Sequence, residues 1–479
     1  MARVDLAVIG GGTAGLVAAI GAAGQGARVA LIEQARTGGD CLWSGCVPSK
    51  ALIEAASAAH VARTSQHLGV STARVEVDLG AVMQHVKDAI GVLEPHDSPH
   101  RLRSLGIEVV HGHATLVAPD AVEVDGHRIP FRRALIATGS APVVPGLPGF
   151  DAVDPLTNES VWDLTELPER LVVLGGGAIG CELGQAFARL GSQVTIVEMT
   201  DRLLIKEEPT ASELIADHLE TEGVEVRVGT RAVRAEVDAD GTRHLVVDAG
   251  AGEQRLPFDR LLVAVGRAPR TAGLGVEAAG VELDDRGAVV VDDRLRTSNP
   301  RIYAAGDVTL ALPFTHVAST HGATVVQNAL FGLRATVDHE RIPWVTFTSP
   351  EVARVGLTAD QARERFGRRA VVRDAEHTTL DRAVTADATG GFARLVSDHK
   401  GRIVGATVVG PRAGETIGEI VAWMADDAKL ATIARASTHA YPTWSEDVAA
   451  ASLTQLQADL ARLRPLSRLL LVARRLLTR

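Results

Sequence analysis

The apolar run Val4–Ile9 stops on Gly10-Gly11-Gly12-Thr13-Ala14-Gly15, and the chain repeats this arrangement where Leu171–Leu174 runs into Gly175-Gly176-Gly177-Ala178-Ile179-Gly180. In both places a helical stretch and a second apolar run follow, ending on an acid. Glu33 stands 23 residues after Gly10, as Glu198 does after Gly175. The order is strand, glycine turn, helix, strand, acid. In such a unit one glycine makes the tight turn, one lets the backbone approach a pyrophosphate, and one lets the helix pack on the strand, while the acid accepts hydrogen bonds from a ribose. A single Gly-x-Gly-x-x-Gly is a common turn. Two copies in the same frame predict two dinucleotide sites, with Gly10, Gly12, Gly15 and Glu33 at one and Gly175, Gly177, Gly180 and Glu198 at the other.

Each half also closes alike. RALIATGSAP (Ala137, Thr138, Gly139) and RLLVAVGRAPR (Ala264, Val265, Gly266, Arg267) are buried-strand runs stopped by glycine and then proline. The pattern predicts an α/β fold of two Rossmann-like domains, the second inserted in the first, with a C-terminal α+β domain. The expected boundaries are 1–150 and 268–340 for the first nucleotide domain, 151–267 for the second, 341–455 for the third, and a tail over 456–479. The polar, alternating stretch from Ile107 to Ile129 suits a small antiparallel meander.

Charge and hydropathy exclude other classes. With 49 basic and 59 acidic residues the net charge is −10, without the basic stripe a nucleic-acid partner would want. No stretch holds the 18 or more apolar residues of a membrane span. The N-terminus enters a strand pattern at once, without a signal peptide, so a cytoplasmic enzyme is expected.

Two of the three cysteines, Cys41 and Cys46, lie in GGDCLWSGCVPSK, just after the first glycine turn. In a reducing compartment, closely spaced cysteines are more often catalytic or metal-binding than structural. A zinc site needs two further ligands, and Cys181 sits in the helix of the second glycine turn as a small core residue. Two nucleotide sites suggest a relay, with one cofactor held and the other exchanged, and the cysteine pair is placed to meet whatever the first site holds.

GGDCLWSGCVPSK, the double glycine turn, TSNPRIYAAGDV with Gly306 and Asp307, WVTFTSPEVARVGLT and IVGATVVGPRAGE together resemble the class I pyridine nucleotide-disulfide oxidoreductases, the family of dihydrolipoyl dehydrogenase, glutathione reductase and mercuric reductase. The resemblance implies FAD on the first turn, with Glu33 on its ribose and Asp307 on its ribityl chain, and with Gly39, Thr138, Gly139 and Gly306 in the binding segments. NAD(P)H is implied on the second turn, with Gly266 and Arg267 nearby. It implies that Lys50 and Glu182 form an ion pair beside the flavin. Cys46 would be the thiolate next to the flavin and Cys41 the sulfur that exchanges with substrate. A homodimer is also implied, since members complete each active site with the partner's third domain. Glu198 favours the free 2′-hydroxyl of NADH over a 2′-phosphate, a preference that Arg202 softens.

The chain departs from its disulfide-reducing relatives at THAYPTWSED. Tyr441 takes the place of their acid/base histidine, Glu446 keeps the place of that histidine's partner, and His439 reads as a loop residue. A tyrosine near pKa 10 is a poor base at neutral pH, which disfavours dihydrolipoyl dehydrogenase. Tyrosine there resembles mercuric reductases, yet no cysteine follows Cys181, so the C-terminal cysteine pair that hands over Hg(II) is missing. The expected activity is mercuric reductase-like: electrons pass from NAD(P)H through FAD to Cys41 and Cys46, and on to a small-molecule or metal-ion acceptor. Dihydrolipoyl dehydrogenase, a quinone or dye reductase with idle cysteines, and a non-enzymatic redox-responsive flavoprotein are the alternatives. In the tail, Leu466, Leu469, Leu470, Ala473, Leu476 and Leu477 fall at helical spacing among Arg468, Arg474, Arg475 and Arg479. That pattern suits packing on the dimer or peripheral contact with an anionic membrane.

Overall fold

The computed structural model describes residues 3–477. It separates into two compact units, one holding the chain to Asp201 with Glu222–His339, the other holding Arg202–Thr221 with the chain from Glu340 onward.

The first unit is built on β1 (Val4–Ile9), which pairs in parallel with β2 (Val29–Glu33). Val4, Ala7 and Ile9 face one core and Leu6 and Val8 the other, so both faces of the strand are covered. A parallel strand covered on both faces is apolar along most of its length, which is why the sequence shows a run rather than an alternation, broken only at the partly exposed Asp5 near its start. The sheet continues with β3 (Glu108–His111), β4 (Ala114–Ala118), β5 (Ala121–Val124) and β6 (His127–Ile136) in the order β3-β2-β1-β6-β5-β4. The start of β6 pairs antiparallel with β5, whereas its end lies parallel to β1. The meander expected over 107–129 is therefore β4 to β6, while β3 pairs in parallel with β2.

β7 (Ser140–Pro142) is followed by β8 (Arg170–Leu174), β9 (Gln193–Val197) and β10 (Glu225–Arg227). A small antiparallel sheet of β11 (Arg231–Val237), β12 (Arg243–Asp248) and β13 (Glu253–Phe258) then precedes β14 (Arg260–Val263). The second parallel sheet runs β10-β9-β8-β14. β15 (Arg267–Pro269) pairs antiparallel with β7, joining the two segments that follow the glycine-stopped runs. β16 (Ile302–Ala304) lies parallel to β6.

The two glycine turns repeat in three dimensions. Gly10 has φ +105° and Gly175 +115°, conformations that favour glycine. A Cβ on Gly15 would lie 1.9 Å from the carbonyl oxygen of Gly10, and one on Gly180 would lie 1.9 Å from that of Gly175. These contacts bring each helix, Thr13–Gly24 and Ala178–Leu190, hard against its strand.

The second unit is an antiparallel sheet of β17 (Pro343–Thr346), β18 (Glu351–Gly356), β19 (Val371–Glu376), β20 (Phe392–Ser397) and β21 (Ile403–Gly410), in the order β17-β18-β21-β20-β19. Ile417, Ile420 and Met424 of helix Ala413–Ala425, and Val448 and Ala451 of helix Glu446–Arg462, pack its core. Residues 202–221 join this unit through a buried ion pair. Arg354 Nε donates to Glu207 Oε2 at 2.9 Å, and Trp344 Nε1 donates to Glu207 Oε1 at 2.7 Å. The tail is a helix, Arg464–Leu477, whose Leu466, Leu469, Leu470 and Leu476 are exposed; Arg479 lies outside the described residues. No helix among the described residues is long and apolar enough to cross a membrane.

Candidate active site

Cys46 opens the helix Cys46–Thr64, with no acid in the first turn. Its thiol therefore sits at the positive end of a long helix, where a thiolate is favoured. Cys46 Sγ is also 3.2 Å from Thr315 Oγ1, and Thr315 opens the helix Thr315–Phe331. Two helix N-termini thus converge on one sulfur. Cys41 and Cys46 are both free thiols, and they share a hydrogen bond. That bond lowers Cys46 to about 6 against the opposing effect of burial, with Thr315 and the Lys50 ammonium adding to the shift. Cys41 moves the other way, pushed up by the same bond, by burial and by the charge on Cys46. The two opposite directions favour a reduced pair in which Cys46 carries the charge and Cys41 the proton.

Lys50 lies one turn along the helix, and its Nζ donates to Glu182 Oε2 at 2.9 Å, with Glu182 buried. The ion pair expected from the resemblance forms between elements 132 positions apart in the chain. Arg267 organises a second network. Its Nη2 lies 2.8 Å from Asp40 Oδ2, its Nε donates to Ser140 Oγ at 2.8 Å, and its Nη1 donates to Asn158 Oδ1 at 3.2 Å. Ser140 Oγ in turn donates to Asp307 Oδ2 at 2.8 Å. Asp307 is raised by burial, which outweighs Ser140 and Arg267. The residue before Cys41 is thereby connected to Asp307 through Arg267 and Ser140.

Glu33 and Glu198 brace their own glycine turns. Glu33 accepts from the amides of Gly11 (2.6 Å) and Ala35 (2.8 Å), and Glu198 from those of Gly176 (2.6 Å) and Thr200 (2.7 Å). At the middle glycines, the protein itself does not require a missing side chain. A Cβ on Gly177 would meet nothing within 4 Å, and one on Gly12 only the Cα of Gly39 at 3.8 Å. The space above both turns fits a pyrophosphate. Thr138 Oγ1 is buried without a hydrogen-bond partner among the described residues, and Gly139 (φ +71°) and Gly266 (φ +149°), just beyond the ends of β6 and β14, have open space at the Cβ position. Gly39, with φ +61°, brings the cysteine segment against the first turn, since a Cβ there would lie 2.6 Å from the Cα of Gly12. These features fit two dinucleotides.

In the second unit, Tyr441 OH donates to Asp381 Oδ2 at 2.7 Å, and this bond raises the phenol above its ordinary range. Trp444 lies near the ring of His377, at 5.9 Å between centroids, and 5.2 Å from the Arg382 guanidinium. Glu446 Oε2 accepts from the amide of Thr443 at 2.8 Å, closing the loop on itself. His439 Nε2 is 2.9 Å from Glu419 Oε2, and Arg202 donates to the carbonyl of Ile205 at 3.1 Å.

Asp40, Ser140, Asn158, Thr315 and Asp381 were not found from the sequence. Asp40 and Ser140 adjoin motif residues, so proximity was their signal. Thr315, Asn158 and Asp381 lie in stretches that carry no motif.

Comparison with known proteins agrees with this arrangement. The family model described as pyridine nucleotide-disulphide oxidoreductase matches residues 4–322, and that of the family's dimerisation domain matches 342–452. A mercuric reductase of Bacillus cereus is 38% identical over 86% of this chain, which spans 65% of that relative's length. One of Streptomyces lividans is 40% identical over 96% of this chain and 97% of its own. A dihydrolipoyl dehydrogenase of Thermus scotoductus is 37% identical over 93% and 96%. The Cu(II) complex of the HOCl-induced flavoprotein disulfide reductase RclA from Escherichia coli superimposes with a TM-score of 0.84 at 30% identity, over 95% of this chain and all of that one. A dimerisation domain supports assembly as a homodimer. The two glycine turns, the cysteine pair and the matches over nearly the whole length lead to one conclusion: the chain belongs to the pyridine nucleotide-disulphide oxidoreductase family and is an FAD-dependent NAD(P)H oxidoreductase.

Proposed function

We propose that this enzyme reduces a thiol-binding divalent metal ion captured by Cys41 and Cys46, one Hg(II) or two Cu(II) taking the two electrons of each NADH, and that it prefers NADH. FAD, when bound, supplies the two-electron link between NAD(P)H and the cysteine pair. In this reading FAD rests on the first glycine turn, with Gly10, Gly12, Gly15, Glu33, Gly39, Thr138, Gly139, Gly306 and Asp307 around it. The nicotinamide cofactor rests on the second turn, with Gly175, Gly177, Gly180, Gly266 and Arg267. Glu198 supports NADH, because its carboxylate repels a 2′-phosphate. Lys50, held by Glu182, favours negative charge nearby. The location is the cytoplasm.

The observation that carries the acceptor class is the hydrogen bond from Tyr441 to Asp381. A phenol whose proton is held by a carboxylate, and whose pKa is raised, does not deprotonate a thiol. Cys41 keeps its proton for the reasons given above, so attack on a substrate disulfide lacks the base it needs. A soft metal ion displaces thiol protons as it binds and needs no such base. Wild type and Tyr441→His are compared in NADH oxidation with Hg(II), Cu(II), lipoamide, glutathione disulfide and quinones. Wild type should favour a metal ion, and Tyr441→His should gain on the order of a hundredfold with lipoamide. Lipoamide turnover by wild type equal to that with any metal ion, and unchanged in Tyr441→His, would return the enzyme to the dihydrolipoyl dehydrogenase class.

The tail adds a proposed contact. Its exposed leucines stand opposite arginines, and no acid follows Asp459, which suits an anionic lipid surface. Full-length protein should co-sediment with phosphatidylserine vesicles, and the double substitution Leu469→Glu with Leu476→Glu should release it. Equal partitioning of the two proteins, with dimerisation lost in the variant, would assign the helix to the dimer instead.

A further inference from the structure

His321 and His339 belong neither to a glycine turn nor to the cysteine pair. His321 is 0% exposed, in the helix Thr315–Phe331. Its Nδ1 accepts from the amide of Gly306 at 3.2 Å, and its Nε2 lies 2.9 Å from Nε2 of His339, with the rings edge-on at 87°. This geometry places the protons. A ring nitrogen that accepts from an amide carries no hydrogen, so the hydrogen of His321 is on Nε2 and His339 Nε2 is its acceptor. Both rings are neutral at physiological pH: burial pushes His321 down to about 4 and lowers His339 as well.

The amide that His321 receives is at a sensitive place. Gly306 has φ +74° and opens the short turn Gly306–Thr309, which carries Asp307. The space around Gly306 is tight, since a Cβ there would lie 3.3 Å from that of Ala318 and 3.5 Å from that of Ala14. A buried amide needs a partner, and here that partner is a side chain rather than backbone. The helix that carries His321 also places Thr315 on Cys46.

We infer that His321, oriented by His339, is a positioning residue that holds the Gly306–Asp307 turn in the conformation in which Asp307 receives the FAD ribityl chain. The inference rests on the reading of Asp307 as a flavin contact. His321 touches no cofactor itself. Losing its acceptor nitrogen leaves the Gly306 amide unpaired, so the turn rotates to find another partner and carries Asp307 with it.

The test is FAD release from the full-length holoenzyme, followed by flavin fluorescence on dilution, with thermal melting measured in parallel. In His321→Asn the amide oxygen takes the place of Nδ1 and still accepts from Gly306, so FAD release should stay within about threefold of wild type. In His321→Gln the amide reaches the place of Nε2 and leaves Gly306 unpaired, so release should be about tenfold faster or more. His339→Leu alters a less buried position and lets the His321 proton move to Nδ1, so it should release FAD several-fold faster even if His321→Gln folds poorly. Equal release from His321→Asn and His321→Gln, in proportion to their loss of melting temperature, would reduce the pair to packing and overturn the inference. Asp307→Asn separates the underlying reading. Wild-type FAD release from Asp307→Asn would refute the ribityl assignment, whereas rapid release from it together with wild-type release from His321→Gln would refute the positioning role alone.

Discussion

Cys46→Ser is expected to lower NADH-driven reduction of any metal or disulfide acceptor by about a thousandfold or more, the scale of losing an essential nucleophile, while FAD is retained and direct reduction of dyes continues. The cause is the environment of Cys46 rather than the mere presence of sulfur. The Cys41 thiol, Thr315 and Lys50 lower its pKa to about 6, and its place at a helix N-terminus also favours the anion. Alkylation of reduced wild-type enzyme by iodoacetamide should thus proceed at full rate at neutral pH and fall as pH drops through about 6, because a lowered thiol pKa keeps the reactive anion present above that point and removes it below. Cys41→Ala removes the largest lowering contribution and should shift the midpoint upward more than Thr315→Val does. Unchanged acceptor turnover in Cys46→Ser would make the cysteines idle and identify a quinone or dye reductase.

Gly177→Ala should separate binding from stability. The added methyl meets no protein atom within 4 Å, and Gly177 has an ordinary extended backbone, φ −77° and ψ −175°. Stability should change by no more than about 1 kcal/mol, with the gain from a stiffer unfolded chain set against a poorer helix cap. The methyl does fill the space above the second glycine turn, so kcat/KM for NADH should fall on the order of a hundredfold while FAD remains bound. Gly180→Ala should behave oppositely. Its Cβ would lie 1.9 Å from the carbonyl oxygen of Gly175, and forcing helix from strand costs on the order of 1–3 kcal/mol or more of stability. Steady-state kinetics and thermal melting of the two variants check this. An undiminished kcat/KM in Gly177→Ala would show that the open space is not a dinucleotide site.

The repeated strand, glycine turn, helix, strand and acid were legible along the chain because each rests on local chemistry. A tight turn needs glycine, a doubly covered strand needs an apolar run, and the acid lies at a set distance from the turn it braces. The cysteine pair was legible for the same reason, its residues being five positions apart in one segment. The resemblance supplied the Lys50–Glu182 pair, which no local spacing could have shown, since its members come from different helices. Tyr441 was legible as a departure, but the carboxylate that holds its proton was not, because Asp381 lies 60 residues away. The same limit hid Thr315, 269 residues from Cys46, and the acceptor that His321 offers to Gly306. Sequence alone determined the fold class and the two dinucleotide sites, since turn sterics and strand burial act between near neighbours, while the resemblance supplied FAD and NAD(P)H as their occupants. Only the tertiary structure decided what lowers the Cys46 thiol and which phenol is tied down, because those states depend on helix ends, burial and hydrogen bonds that exist only once distant segments have come together.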